Sequence, residues 1–197
     1  MLLSRFFNFQ FSIFNCLIVL TASACHHQSD LPKLFPVPDA QLVSEANKPV
    51  NLSEMKGNVA VYDFIFTNCA GSCPVMTGEM RKLTKKIEAG APVRFVSISV
   101  DPTRDTPAVL QDYAKRVRND PRWTFLTGDR DTIVRLSVDG FKLAAGGTTK
   151  TEAEPLLHSS KFAIADKQGV IREYYGGTDG DAADHVAATV LDLLREN

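Results

Sequence analysis

The chain has 197 residues, with 22 Lys and Arg against 23 Asp and Glu and a formal net charge of -1. That balance, without any Lys- or Arg-rich run, leaves no electrostatic footprint for a nucleic-acid partner. A composition of 44% hydrophobic and 23% charged residues excludes a disordered chain and a bundle of membrane spans, leaving one globular domain with a real core plus a leader.

The leader comes first. Residues 1–25, MLLSRFFNFQFSIFNCLIVLTASAC, open with a single arginine (Arg5), run through Phe, Ile, Leu and Val, and close on small residues. The unbroken apolar part is short for a membrane span and fits the core of an export signal, with Ala22, Ser23 and Ala24 as a cleavage site. Cys25 directly after it resembles the lipid-modified cysteine of bacterial lipoproteins, and an uncleaved N-terminal anchor is the third option. All three export the domain. The expectation is therefore a protein of the bacterial cell envelope, facing the periplasm and held to the membrane through a lipidated Cys25 or an N-terminal anchor.

Residues 26–49 carry four prolines and read as a tether, leading into short strands or a hairpin near 41–43 and 50–52. The domain proper is expected over 50–197. After a turn at Lys56, Gly57 and Asn58, residues 59–66 (VAVYDFIF) form a β-branched and aromatic run that suits a buried strand. Two cysteines, Cys69 and Cys73, follow at once. Pro74 fits the first position of a helix, whose buried face carries Met76, Met80, Leu83 and Ile87 at helical spacing. At that spacing the methionines belong to the core rather than to a metal site.

Residues 93–100 (VRFVSISV) predict a second buried strand ending at Asp101 and Pro102. Thr106 caps and Pro107 starts the next helix, with Leu110, Tyr113 and Val117 inward. A short strand over 123–126 and a short helix over 131–138 follow. The polar stretch between Ala144 and Pro155 reads as a mobile loop or exposed hairpin. A hairpin pairs 161–165 with 170–174, and a last helix covers 182–195. This alternation predicts an α/β fold of thioredoxin-like type, with a central mixed sheet flanked by helices and an N-terminal extension. The cysteine pair sits on its first strand–helix junction.

Of the four cysteines, Cys16 lies in the leader and Cys25 at its end, so only Cys69 and Cys73 remain for the domain. In an oxidising compartment a close pair invites a disulfide, yet a bridge closing so short a loop constrains the unfolded chain little. A helix N-terminus favours the thiolate, and two soft thiolates suit Cu(I), or zinc if more ligands arrive. A third ligand has four candidates. His26 and His27 lie in the tether, beside Cys25, where they too would be able to catch copper. His185, near the start of the last helix, is expected to be solvated. His158 lies just before a strand that would run beside the central ones, on the side of the cysteines.

FTNCAGSCPVMTGEM, SISVDPTRDTPAVLQDYAKRV, WTFLTGD and the downstream His158 together resemble the Sco/SenC family, thioredoxin-like copper proteins that help mature the copper site of cytochrome c oxidase. The similarity runs from about Val50 to the last helix. It implies one copper ion, Cu(I) or Cu(II), held by Cys69, Cys73 and His158, with Asp101 shaping the site. It also implies a partner in the copper-receiving subunit of cytochrome c oxidase or another exported copper protein. Several family members have an acidic residue before the histidine and a proline after the first cysteine, where this chain has Leu157 and Ala70. The alternative role is a thiol–disulfide oxidoreductase, with Cys69 and Cys73 as its redox-active pair, keeping a partner's metal-binding cysteines reduced. A peroxidase reading, from Thr67, Asn68 and Cys69, has a spacing one residue short.

Overall fold

The computed structural model describes residues 27–143 and 159–196. Its frame is a mixed eight-stranded sheet in the order β1-β8-β7-β4-β5-β6-β2-β3. The two apolar runs of the sequence form its centre: β4 (Val59–Ile65) and β5 (Val93–Ser99) pair in parallel, and β5 pairs in parallel with β6 (Trp123–Thr127). β7 (Lys161–Ala165) lies antiparallel on the other side of β4 and continues into β8 (Val170–Gly176) through a hairpin with a bulge at Ile164 and Ala165. Every residue of β4 is buried, as a strand covered on both faces requires.

Three helices cover one face. α1 (Ser72–Lys86), α2 (Pro107–Val117) and α4 (Ala182–Arg195) pack Met76, Met80, Leu83, Leu110, Val186 and Val190 against Val61, Ile65, Phe95 and Phe125. Thr106 caps α2, its side chain accepting from the Val109 backbone, with Pro107 in the first turn as the sequence signals. The other face carries α3 (Arg130–Arg135), which runs on as a π-helical turn over Leu136–Gly140. Its Ile133 and Leu136 join Tyr62, Phe64, Val96 and Phe141 in a second apolar layer.

The extension belongs to the same sheet. β2 (Gln41–Ser44) and β3 (Pro49–Asn51) form the expected hairpin, and β2 pairs with β6. β1 (Phe35–Pro36), which no sequence pattern announces, lies along the start of β8. The tether before it is tied down by a buried charge. Arg172, 1% exposed, donates to the carbonyls of Leu31 (2.6 Å) and Pro32 (3.0 Å) and to the carboxylates of Asp166 and Glu196. The stretch between Ala144 and Pro155 lies outside the described residues.

Candidate metal centre

β4 runs out at Ile65, and the chain turns through Phe66–Ser72 into α1. α1 begins at Ser72, two residues before Pro74, so Cys73 lies inside its first turn and Cys69 in the turn before it. Both are thiols. Cys73 is fully buried and Cys69 only partly so. The expectation that the helix start would favour both thiolates fails for Cys73. Burial pushes its thiol well above the ordinary range, helped by a hydrogen bond with Cys69 and by the charges of Cys69 and Asp63, while a hydrogen bond with the Phe66 backbone opposes the rise. Desolvation of a charged sulfur outweighs the dipole of one helix turn.

The loop is held from the next strand. Asp105, 1% exposed, accepts from the Thr67 backbone N–H (3.0 Å), the Thr67 hydroxyl (2.5 Å) and the Ser99 hydroxyl (2.6 Å). Its own N–H donates to the Asp101 carbonyl at 2.8 Å, so the turn after β5 folds back onto the cysteine loop. Asp101, to which the resemblance gives the shaping role, supplies that carbonyl and pairs its carboxylate with Arg104. Asp105 is the residue that sequence reasoning missed, although it lies within the quoted TRDTP. Replacing Asp105 with Ala would leave Thr67 and Ser99 without their acceptor, and is expected to cost about 2 kcal/mol. Denaturant unfolding checks this; a loss below about 0.5 kcal/mol would show that the loop holds itself.

Beneath the pair lies a second omission of the sequence reading. Asp63 projects from the middle of β4 with no exposure, and neither carboxylate oxygen has a hydrogen-bond partner among the described residues. Burial pushes the carboxyl up to about 7, against an opposing pull from Ser97, its cross-strand neighbour. The sequence signal is an acid inside VAVYDFIF.

The remaining candidates separate. His158 and His26 lie outside the described residues, as do Cys16 and Cys25. His27 pairs with Asp192 near the end of α4 (2.8 Å). His185, expected to be solvated, is only partly so: it stacks on Tyr175 at 3.8 Å and pairs with Glu173 (2.7 Å). Met76 and Met80 are core, as their spacing predicts. Among the described residues, no cluster of three or more His, Cys, Asp or Glu side chains forms a metal site. The two thiols are thus a soft donor pair, short of a complete metal site among the described residues.

A sequence profile described as SCO1/SenC matches residues 36–195, nearly the whole described chain. The chain belongs to the SCO1/SenC family. A SCO1/SenC family lipoprotein from Bacillus anthracis is 30% identical and superposes with a TM-score of 0.71, covering 81% of this chain and 95% of its own. BsSco, described as a Sco cytochrome c oxidase assembly protein with a disulfide switch, is 31% identical with a TM-score of 0.72, covering 85% and 97%. ScoI of Arabidopsis thaliana, solved with copper bound, is 25% identical with a TM-score of 0.66, covering 79% and 96%. The SCO1/SenC fold of this chain is therefore thioredoxin-like, as its element order predicts. Its mixed sheet places the cysteine stretch just beyond the end of β4.

Proposed function

We propose that this chain takes one copper ion on Cys69, Cys73 and His158 and passes it to the copper site of cytochrome c oxidase or another exported copper protein. The observation that carries the reading is the pair of thiols brought together at the start of α1, in a family with a copper-bound relative. His158 has support from its flank. Ser160, two residues on, accepts from the Gly177 N–H at 2.6 Å, and a Cβ on Gly177 would lie 3.1 Å from Met76, one turn beyond Cys73. Glycine at 177 thus lets the strand that follows His158 approach α1.

The chemistry follows from the donors. Two thiolates favour Cu(I), and metal displaces the Cys73 proton, so apparent affinity rises with pH. A neutral imidazole is the easiest donor to release when a recipient's ligand enters. Loading purified protein with Cu(I) and Cu(II) and counting bound metal tests the assignment. Wild type is expected to bind one copper, and Cys69→Ser and His158→Ala to lose most of it; undiminished loading of both variants would overturn the reading.

A second reading, thiol–disulfide exchange with a partner's metal-binding cysteines, draws support from the hydrogen-bonded thiol pair and from the disulfide switch named for BsSco. The two roles use the same sulfurs. His158→Ala should spare reduction of an oxidised partner peptide by the metal-free protein, and an equal loss of both activities would argue against a separate redox role. Attachment to the membrane, through lipid on Cys25 or an N-terminal anchor, completes the proposal. Among the described residues no helix is long and apolar enough to cross a membrane. The mass of the native protein decides between lipid and anchor.

A further inference from the structure

The cysteine pair borders a groove, with Cys69 partly exposed at its edge and Cys73 buried behind it. It lies between α1 and α2, open to solvent on one side, with a volume of about 280 Å³. Cys69 and Cys73 line it together with Thr77, Gly78 and Arg81 from α1 and Tyr113 from α2. The Thr77 and Tyr113 hydroxyls share a hydrogen bond of 2.8 Å that ties the two helices together.

Gly78 is the unusual member. Glycine inside a helix costs stability relative to alanine, and a fold usually accepts that cost because a side chain would clash or the backbone needs positive φ. Neither applies here. A Cβ at Gly78 would meet nothing within 4 Å, and its φ is not positive. What the missing side chain does is leave helix backbone bare in the groove, where a second backbone can lie close.

The lining itself carries one charged side chain, and it is positive. Arg81 is that side chain, and Arg116 stands over the Tyr113 ring at 5.8 Å from its centroid. No Asp or Glu lines the groove. Among the described residues neither guanidinium forms an ion pair; Asp112, which pairs with Lys115, also feels the charge of Arg116, whereas Arg81 faces the groove with no such neighbour in its lining. A shallow cationic channel with a bare backbone floor and two thiols beside it fits an extended chain with carboxylates.

We propose that this groove docks an extended acidic segment of the polypeptide that receives the copper. The segment crosses Gly78, sets its carboxylates against Arg81 and Arg116, and brings its own metal-binding side chains to Cys69. The inference rests on the copper-delivery reading for the identity of the partner, while the docking itself needs no metal. Attraction between opposite charges then selects the partner and speeds encounter, and added salt weakens it.

The test titrates the reduced, copper-free full chain with a peptide of alternating glutamate and glycine, and separately with its lysine counterpart, following backbone NMR shifts. The acidic peptide is expected to bind, to shift Thr77, Gly78, Arg81 and Tyr113 most, and to weaken with salt. Gly78→Leu, which fills the floor, and Arg81→Glu, which reverses the charge, are each expected to weaken it about tenfold without changing copper stoichiometry. Absence of acidic-peptide binding, equal binding of the lysine peptide, or wild-type affinity in both variants would overturn the proposal. Copper loading of the same samples fails only if the delivery reading fails, so the two failures are distinguishable.

Discussion

Replacing Asp63 with Asn is expected to stabilise the protein by about 4 kcal/mol at pH 8 and to leave it little changed at pH 4. The wild-type carboxyl is raised from 3.8 to about 7 in the folded state. Below about pH 4 it is protonated whether the chain is folded or not, and its burial carries no charge penalty. Between about 4 and about 7 the unfolded chain gives up that proton while the folded protein keeps it, so stability falls as pH rises. Above 7 the full penalty persists: a lone carboxylate in an apolar layer, without a hydrogen-bond partner among the described residues. Asn removes the ionisation and keeps the shape. Denaturant unfolding of both proteins from pH 4 to 8 reads the difference directly, and parallel profiles would show that Asp63 does not titrate as its surroundings dictate. Paired carboxylates such as Glu196, held below its ordinary range by the Arg172 guanidinium, contribute equally to both profiles and cancel.

Removing Arg172 should act in the opposite direction and about as strongly. Arg172→Met deletes a guanidinium whose contacts reach Asp166 at 3.1 Å and Glu196 at 2.8 Å, leaving Asp166, itself 1% exposed, as a buried charge without a counter-charge, held only by the Gln168 and Val170 N–H groups. Breaking such a pair from one side costs about 3–5 kcal/mol, equivalent to a fall in Tm of about 10 °C for a domain of this size. The same substitution frees the carbonyls of Leu31 and Pro32. Limited proteolysis near residues 31–36 should therefore quicken before global unfolding does. A variant that melts within about 2 °C of wild type, corresponding to less than 1 kcal/mol, would mean that the tether and hairpin hold together without the arginine. Lysine is a poor substitute, because one ammonium cannot reproduce the fork that serves two carboxylates and two carbonyls.

The central strands were legible because VAVYDFIF and VRFVSISV are the longest β-branched and aromatic runs of the domain. α2 was legible from Thr106 and Pro107. What escaped depends on depth or on distant pairing. Pro74 looked like a helix start, yet the structure begins α1 at Ser72, since proline is tolerated anywhere in a first turn where no N–H bond is lost. β1 has only two residues and owes its place to β8 rather than to any pattern of its own. Reading the cysteines as activated thiols used the helix dipole alone. The sequence carries no measure of how deeply Cys73 sinks between α1 and the sheet, and burial decides its proton affinity. Asp105 and Asp63 are both acids next to recognisable motifs, but one holds a loop and the other stands unpaired. That difference is set by Thr67 and Ser99, which only folding brings together.

The sheet also gives the molecule two poles. β4 carries the cysteines beyond its last residue, whereas the tether reaches the domain beside Arg172, close to where β8 starts, and β8 starts at the level where β4 does. Seven residues of extended chain separate those levels, about 23 Å at 3.3 Å per residue. Arg172 fixes that separation by gripping Leu31 and Pro32, so residues 31–36 are pinned at one end of the sheet while the thiols stand at the other, and no small shift of the tether can bring the two together.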